Sequence, residues 1–142
     1  IEYLEELHPE PALLGRSAVE RARIRALALD IACEIHPLNN LRVLNYLVGE
    51  FGFTDEQKKR WYRHWAESGL AAVEATLTQQ PGSFCVGDTP TLADCCLVPQ
   101  VFNALRCECN LAHVPKVVAI HDHCMTLDAF RRAAPSAQPD AA

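Results

Sequence analysis

The amino-acid sequence predicts an all-α protein, a bundle of five or six helices, and three observations support this. Apolar residues recur at helical spacing along most of the chain, and no useful length alternates as a half-buried strand would. Three segments carry a capping-box pattern, in which Ser or Thr precedes an acidic or amide residue by three positions. One predicted helix is apolar on nearly every side, which is typical of the centre of a domain.

Composition and charge exclude several classes of protein. The 142 residues are 49% hydrophobic and 22% charged, which is ordinary for one globular domain. The net charge of −5 argues against a nucleic-acid partner, because phosphates require a basic face. No apolar run approaches the ~18 residues of a membrane-spanning helix, so we expect no membrane partner. The chain opens on Ile1 without Met or a signal peptide, and we expect it to be part of a longer, cytoplasmic protein.

Prolines and caps divide the first half of the chain. Residues 1–7 have helical spacing, and the prolines that follow end this first helix. The box Ser17–Glu20 opens a long helix through Ile35. Pro37 is expected to interrupt that helix, because proline removes one backbone hydrogen bond, and helical spacing resumes over residues 38–49.

The second half begins with the box Thr54–Gln57, which opens another long helix. We expect its core face to carry Trp61, Trp65, Leu70, Val73 and Leu77. Residues 84–86 are expected to be a short extended piece before the next helix.

The third box, Thr91–Asp94, is the most informative feature of the sequence. Thr91 is placed to accept a hydrogen bond from the Asp94 amide, and the Asp94 carboxylate is placed to bind Thr91 in return. The carboxylate also suits the positive end of a helix. This box opens the apolar helix 92–106, which we expect at the centre of the fold. Two shorter helices follow, from about residue 115 and over residues 128–132.

The seven cysteines follow no disulfide framework, and we expect them to be reduced, mostly as small core residues. Two runs have metal-ligand residue types, Cys107–Cys109 and His121–Cys124. We expect no metal at either, because positions i and i+2 of a helix face different directions and structural zinc needs two separated pairs.

The strongest candidate for a binding site is the polar cluster of residues 36–42, which contains His36, Asn39, Asn40 and Arg42. One interpretation is structural, since the backbone groups that Pro37 frees need partners and Asn39 or Asn40 could supply them. The other interpretation is the polar floor of a ligand cleft, where Arg42 would suit a carboxylate. The sequence favours neither.

Arg106 is the second candidate. It ends the central helix, where the helix dipole favours a cation. A lone arginine at a helix end is commonly a cap or a surface ion pair, and here it could also bind an anion.

Several segments resemble the zeta class of glutathione transferases. The run Ile1–Glu6, followed by Pro and Leu-Leu, resembles the helix that closes the thioredoxin-like domain of these enzymes. Gly87–Asp94 resembles the cap and start of their core helix. The finer resemblance lies in His36–Asn40, in Ala93–Val101 and in Gln138–Asp140. It covers essentially the whole chain.

The resemblance implies two parts. Residues 1–14 would be the end of a thioredoxin-like N-terminal domain and its linker, and residues 15–142 an all-helical C-terminal domain. It implies glutathione as cofactor, a small dicarboxylate as substrate, and a homodimer. The implied activity is cis–trans isomerisation of a maleyl acid, maleylacetoacetate or maleylpyruvate, in aromatic degradation. The thiol-activating motif would lie in the preceding domain, so no catalytic residue is assigned here.

Matched by position, the resemblance implies glutathione or electrophile binding for His36, Asn39 and Asn40, and dicarboxylate binding for Arg42 and Arg106. The segment after Arg106 departs from the family, which leaves the substrate open. Two alternatives also stay open: a general transferase that conjugates or dehalogenates small electrophiles, and a non-catalytic helical interaction module.

Overall fold

The computed structural model describes residues 1–141, of which 68% are helical and none is in a strand. This confirms the all-α prediction. Residues 1–141 contain eight α-helices instead of five or six, because several helices of one or two turns are separate elements. The elements are α1 Glu2–Leu7, α2 Ala18–Leu29, a π-helix Asp30–Ile35, α3 His36–Asn39, α4 Leu41–Phe51, α5 Asp55–Leu77, α6 Leu92–Arg106, α7 Pro115–Cys124, α8 Asp128–Ala133 and a 3₁₀ turn Pro135–Ala137.

The predicted capping boxes form in both directions at Ser17 and at Thr54. At the third box the Asp94 carboxylate binds Thr91 as predicted, while the Thr91 hydroxyl donates to that carboxylate. Asp94 Oδ2 accepts the Thr91 amide at 2.8 Å and the Thr91 hydroxyl at 2.7 Å, while Oδ1 accepts the Cys85 amide at 2.8 Å. Through these hydrogen bonds the Asp94 carboxylate joins the loop before α6 to the first turn of that helix. Asp94 is fully buried, and hydrogen bonds are stronger in such surroundings than in water.

The long N-terminal helix ends at Ile35 and a new helix starts at the proline, as predicted. The α-helical bonding of α2 gives way to the π-helix, and α3 starts at His36 with Pro37 in its first turn, where a missing N–H is tolerated. The chain turns at Asn40, whose ψ of 144° is extended. Asn40 then caps α4, since its Oδ1 accepts the Arg42 amide at 3.0 Å.

The core centres on α6, as the apolar pattern predicts. This helix packs against α2, α5, α7 and the π-helix. Its buried apolar residues are Leu92, Ala93, Leu97, Val101 and Ala104.

The buried face of α5 differs from the prediction in its first half. Tyr62 and Ala66 are buried there, while Trp61 and Trp65 are only half-buried. The spacing explains this, because positions 62, 66 and 70 form one stripe at i and i+4 and the tryptophans lie on the neighbouring stripe.

Two smaller expectations also need correction. Cys33 is exposed on the π-helix and is not a core residue. Residues 84–86 form bends in place of an extended piece, and the Phe84 amide closes a turn onto the Gly87 carbonyl at 3.1 Å.

Across the described residues, each helix is too short or too polar to cross a membrane.

Candidate functional site

A half-open cavity of about 500 Å³ lies between α6, the second half of α7, α8 and the two residues after α8. Most of its wall is apolar, and the apolar residues are Val98, Pro99, Phe102, Met125, Phe130, Ala133, Ala134 and Pro135. Its polar groups are Cys95, Asn103, Arg106 and His121. An apolar wall with a few polar groups is the usual form of a small-molecule pocket.

Arg106 is the cation of this cavity. It is the last residue of α6 and is exposed, and no carboxylate of residues 1–141 forms an ion pair with it. It also borders a smaller cavity of about 250 Å³ beside Lys58, Lys59 and Tyr62. Its guanidinium is therefore available to a carboxylate ligand.

Helix α5 fixes the backbone at the end of α6. Arg63 donates from Nε to the Cys107 carbonyl at 3.2 Å, and its guanidinium pairs with Glu108 at 2.7 Å. Glu108 has a φ of 57°, a left-handed conformation that non-glycine residues seldom adopt. Glu67 accepts the Asn110 amide at 2.7 Å. Together these bonds hold the turn that follows the arginine of the cavity.

The polar cluster of residues 36–42 divides between the two interpretations. Asn40 has the structural role, as the cap of α4, and its Nδ2 lies 3.5 Å from His36 Nε2. Asn39 does not have this structural role, because neither polar atom of its side-chain amide has a hydrogen-bond partner within residues 1–141. The residue is nevertheless buried, with only 8% of its surface exposed. His36 and Arg42 are exposed. None of the four lines either of the two cavities at Arg106.

The thiol in the cavity is not a nucleophile at neutral pH. Burial, with a contribution from the Asp94 charge, raises the pKa of Cys95 to about 11. Since a thiolate is the reactive form, Cys95 contributes to the wall as a protonated thiol.

His121 was missed by the sequence analysis, which set its segment aside as an unsuitable metal cluster. Its side chain is 14% exposed, and Nδ1 lies 3.0 Å from Asp122 Oδ1. It belongs to the cavity because α7 packs on α6, a contact that no local spacing reveals.

Comparison with known proteins places these features in a family. The family described as "Glutathione S-transferase, C-terminal domain" matches residues 55–119. A maleylpyruvate isomerase of Ralstonia sp. is 50% identical over 144 residues, which cover all of this chain and 68% of that protein. A solved structure of a maleyl pyruvate isomerase, a bacterial glutathione S-transferase of the zeta class, superposes with a TM-score of 0.97 at 49% identity, over 99% of this chain and 68% of that one.

A third relative was solved with ligands. The maleylacetoacetate isomerase of Anaeromyxobacter dehalogenans, with dicarboxyethyl glutathione and citrate in its active site, superposes with a TM-score of 0.93 at 41% identity, over 99% of this chain and 64% of that one. The chain thus spans about two thirds of the length of the relatives it matches. It belongs to the zeta class of glutathione transferases, the family of the maleylacetoacetate and maleylpyruvate isomerases.

Proposed function

We propose that this chain is the helical part of a glutathione-dependent isomerase, which converts a maleyl dicarboxylic acid to its fumaryl isomer. The observation that carries the proposal is Arg106, a cation without an ion-pair partner in residues 1–141 at a largely apolar cavity. Such a cavity suits a small organic acid. The relatives support the choice, because the three described above are maleyl acid isomerases and one of them was solved with dicarboxyethyl glutathione.

The proposed role of Arg106 is electrostatic. Bound glutathione supplies a thiolate, whose reversible addition makes the cis double bond single and so permits rotation. Arg106 holds a substrate carboxylate and stabilises the negative charge that develops on the conjugated oxygen. The apolar wall keeps water away from that charge, which strengthens its attraction to the guanidinium. Holding both reactants in place supplies much of the acceleration.

Residues of the polar cluster are proposed to contact glutathione or the substrate. Asn39 fits this role, because its buried amide has no partner among the described residues. His36 and Arg42 are accessible beside it. Asn40 contributes by turning the chain into α4, so that Arg42 follows in the first turn.

We further propose that a thioredoxin-like domain completes the active site and supplies the thiol-activating residues, with residues 1–14 as its last helix and linker. Exposed apolar residues on α1 and at its N-cap support a partner surface there: Ile1, Tyr3, Leu4 and Leu7. The whole enzyme is proposed to be a cytoplasmic homodimer. The seven cysteines, all free, suit a reducing compartment.

The test is an assay of the protein carrying both domains, with maleylpyruvate and maleylacetoacetate as substrates. Conversion to the fumaryl product is expected only when glutathione is present. Turnover without glutathione would reject the mechanism. Faster reaction with haloacids than with maleyl acids would favour a general transferase, and no turnover of any electrophile would favour an interaction module.

A further inference from the structure

The smaller cavity at Arg106, called the small cavity below, has no role in the mechanism proposed above. It has a volume of about 250 Å³ and lies between α4, the first half of α5 and the end of α6. Arg106 lines it and also lines the apolar cavity of about 500 Å³. The two cavities therefore adjoin at this one side chain.

The unpaired charge of the small cavity is positive, although the whole chain carries −5. Lys59 lines it and, like Arg106, has no ion-pair partner within residues 1–141. Lys58 lines it as well, but that ammonium pairs with Asp55 at 2.7 Å. Two cations, Lys59 and Arg106, thus remain for an anionic ligand.

The other polar groups of the wall do not oppose an anion. Among the described residues that line the small cavity, Glu108 is the one carboxylate, and Arg63 offsets its charge at 2.7 Å. Tyr62 is buried, and burial raises the pKa of its hydroxyl, which therefore stays protonated at neutral pH and can donate a hydrogen bond. An ammonium, a guanidinium and a hydroxyl around so small a space match a carboxylate.

The proposed substrate has two carboxylates, and the mechanism above uses one of them. Either maleyl acid has one carboxylate beside the reacting double bond and a second at the far end of a diketone chain. A carboxylate that leaves water for a protein site without a cation there loses binding free energy. Arg42 has no ion-pair partner among the described residues either, but it lines neither cavity at Arg106, whereas Lys59 shares one with it.

We infer that Lys59 binds the far carboxylate of the maleyl acid in the small cavity, while Arg106 holds the reacting end. This inference rests on the proposed function and names the group that selects a diacid. Lys59 makes and breaks no bond in the reaction, so its contribution is to binding and specificity. The flexible stem of a lysine also suits two substrates whose far carboxylates differ in position by one methylene group.

The test compares a maleyl diacid with maleylacetone in the protein that carries both domains, at saturating glutathione. Maleylacetone has the same reacting end and diketone chain but no terminal carboxylate. The diacid is maleylpyruvate or maleylacetoacetate, whichever is isomerised faster. In Lys59→Gln the ratio of kcat/KM for the diacid to that for maleylacetone should fall about five- to tenfold, because a charge-assisted contact is lost. The change should lie in the KM for the diacid, and Lys59→Arg, which keeps the charge, should retain most of the ratio.

Two further variants make the outcome decisive. Arg60→Gln removes the next exposed cation of α5, which does not line the small cavity, and should leave the ratio unchanged. Arg106→Gln should lower kcat/KM for both acids, because it acts at the end that they share. An equal fall of the ratio in Arg60→Gln and Lys59→Gln would overturn the inference, because the attraction would then be non-specific.

Failure of this inference and failure of the proposed function give different results. If the unmodified protein isomerises both acids and Lys59→Gln leaves the ratio unchanged, Lys59 does not bind the far carboxylate and the inference alone is overturned. If the unmodified protein isomerises neither acid, the proposed function is rejected and the inference with it.

Discussion

At the scale of single residues, the two arginines that the sequence singles out are in different surroundings. Arg106 borders two cavities, and Arg42 is exposed in the first turn of α4. Neither has an ion-pair partner within residues 1–141, so both remain able to bind an anion. Their shared charge was visible in the sequence, but which of them borders a cavity was not, because that depends on how the helices pack.

Replacing Arg106 or Arg42 with Ala is expected to raise the Michaelis constant for the maleyl acid. Loss of a charge-assisted contact should weaken binding by about 1–3 kcal/mol, or roughly 5- to 150-fold. Steady-state kinetics of the protein carrying both domains, at saturating glutathione, measure the change. An unchanged Michaelis constant would remove that arginine from the site.

Replacing Asp94 with Ala is expected to destabilise the fold by about 3 kcal/mol or more, because the buried amides of Thr91 and Cys85 lose their acceptor. Urea unfolding of the variant measures this free energy. Asp128→Ala is a control, since that carboxylate is exposed and its ion pairs are longer than 3.5 Å. Similar destabilisation by both changes would contradict the role of the buried box.

At the scale of elements, close packing between helices decides what lies near the site. Gly69 on α5 faces the π-helix, and a Cβ there would lie 2.4 Å from Cγ1 of Ile35. The absence of a side chain thus lets α5 approach the segment that carries the polar cluster. A glycine inside a helical pattern can indicate that another helix packs closely there. The sequence does not show which residue, here Ile35, it packs against.

Gly69→Ala is therefore expected to destabilise the protein by about 1–3 kcal/mol, as overpacked cores do. Gly49 supplies a matched control, because it lies inside α4 and an added Cβ would meet no atom within 4 Å. Gly49→Ala should instead stabilise by about 0.5–1 kcal/mol, through helix propensity. Thermal and urea unfolding of both variants would show opposite signs, and equal signs would refute the packing argument.

The contact between α5 and the end of α6 leads to a kinetic prediction. Arg63→Gln removes the bonds to the Cys107 carbonyl and to Glu108, so the turn after Arg106 loses support. We expect a Michaelis constant for the maleyl acid that rises several-fold, with unfolding free energy changed by about 1 kcal/mol. Ser68→Ala, at an exposed position of the same helix outside both cavities at Arg106, should leave the Michaelis constant unchanged and the unfolding free energy within about 0.5 kcal/mol. A fall in stability without any kinetic change would limit Arg63 to a structural role.

At the scale of the whole molecule, buried thiols link folding to pH. Burial raises the pKa of Cys95 to about 11 and that of Cys124 to about 12, from an ordinary value of 9.0. The folded chain therefore keeps these protons over a range in which the unfolded chain releases them. The resulting stabilisation is complete below pH 9 and is lost as pH rises through the folded values.

Urea unfolding between pH 8 and pH 11 should accordingly show a free energy that falls above about pH 9. In Cys95→Ala the free energy of unfolding should fall less steeply with pH, because one thiol with a raised pKa is removed and the other titrating groups are retained. Cys33→Ala, at an exposed position, is the control and should leave the slope as it was. If the free energy of unfolding fell equally steeply with pH in the unmodified protein and in both variants, the raised pKa of Cys95 would not contribute to the pH dependence of stability.

The long helices, their caps and the central helix could be predicted from the sequence, because they depend on residues close together in the chain. Ser17, Thr54 and Thr91 each bind a group three residues away, and the apolar circumference of α6 is a property of one segment. The family resemblance was carried by equally local runs of residues.

Tertiary structure alone decided which groups share a cavity. His121 meets Arg106 at one cavity because α7 packs on α6, and the Trp61 indole bonds to Leu38 because α5 crosses α3. It also decided that Asn40 caps a helix while Asn39 is buried without a partner among the described residues. Such juxtapositions join residues tens of positions apart, and no spacing rule encodes the angle at which two helices cross.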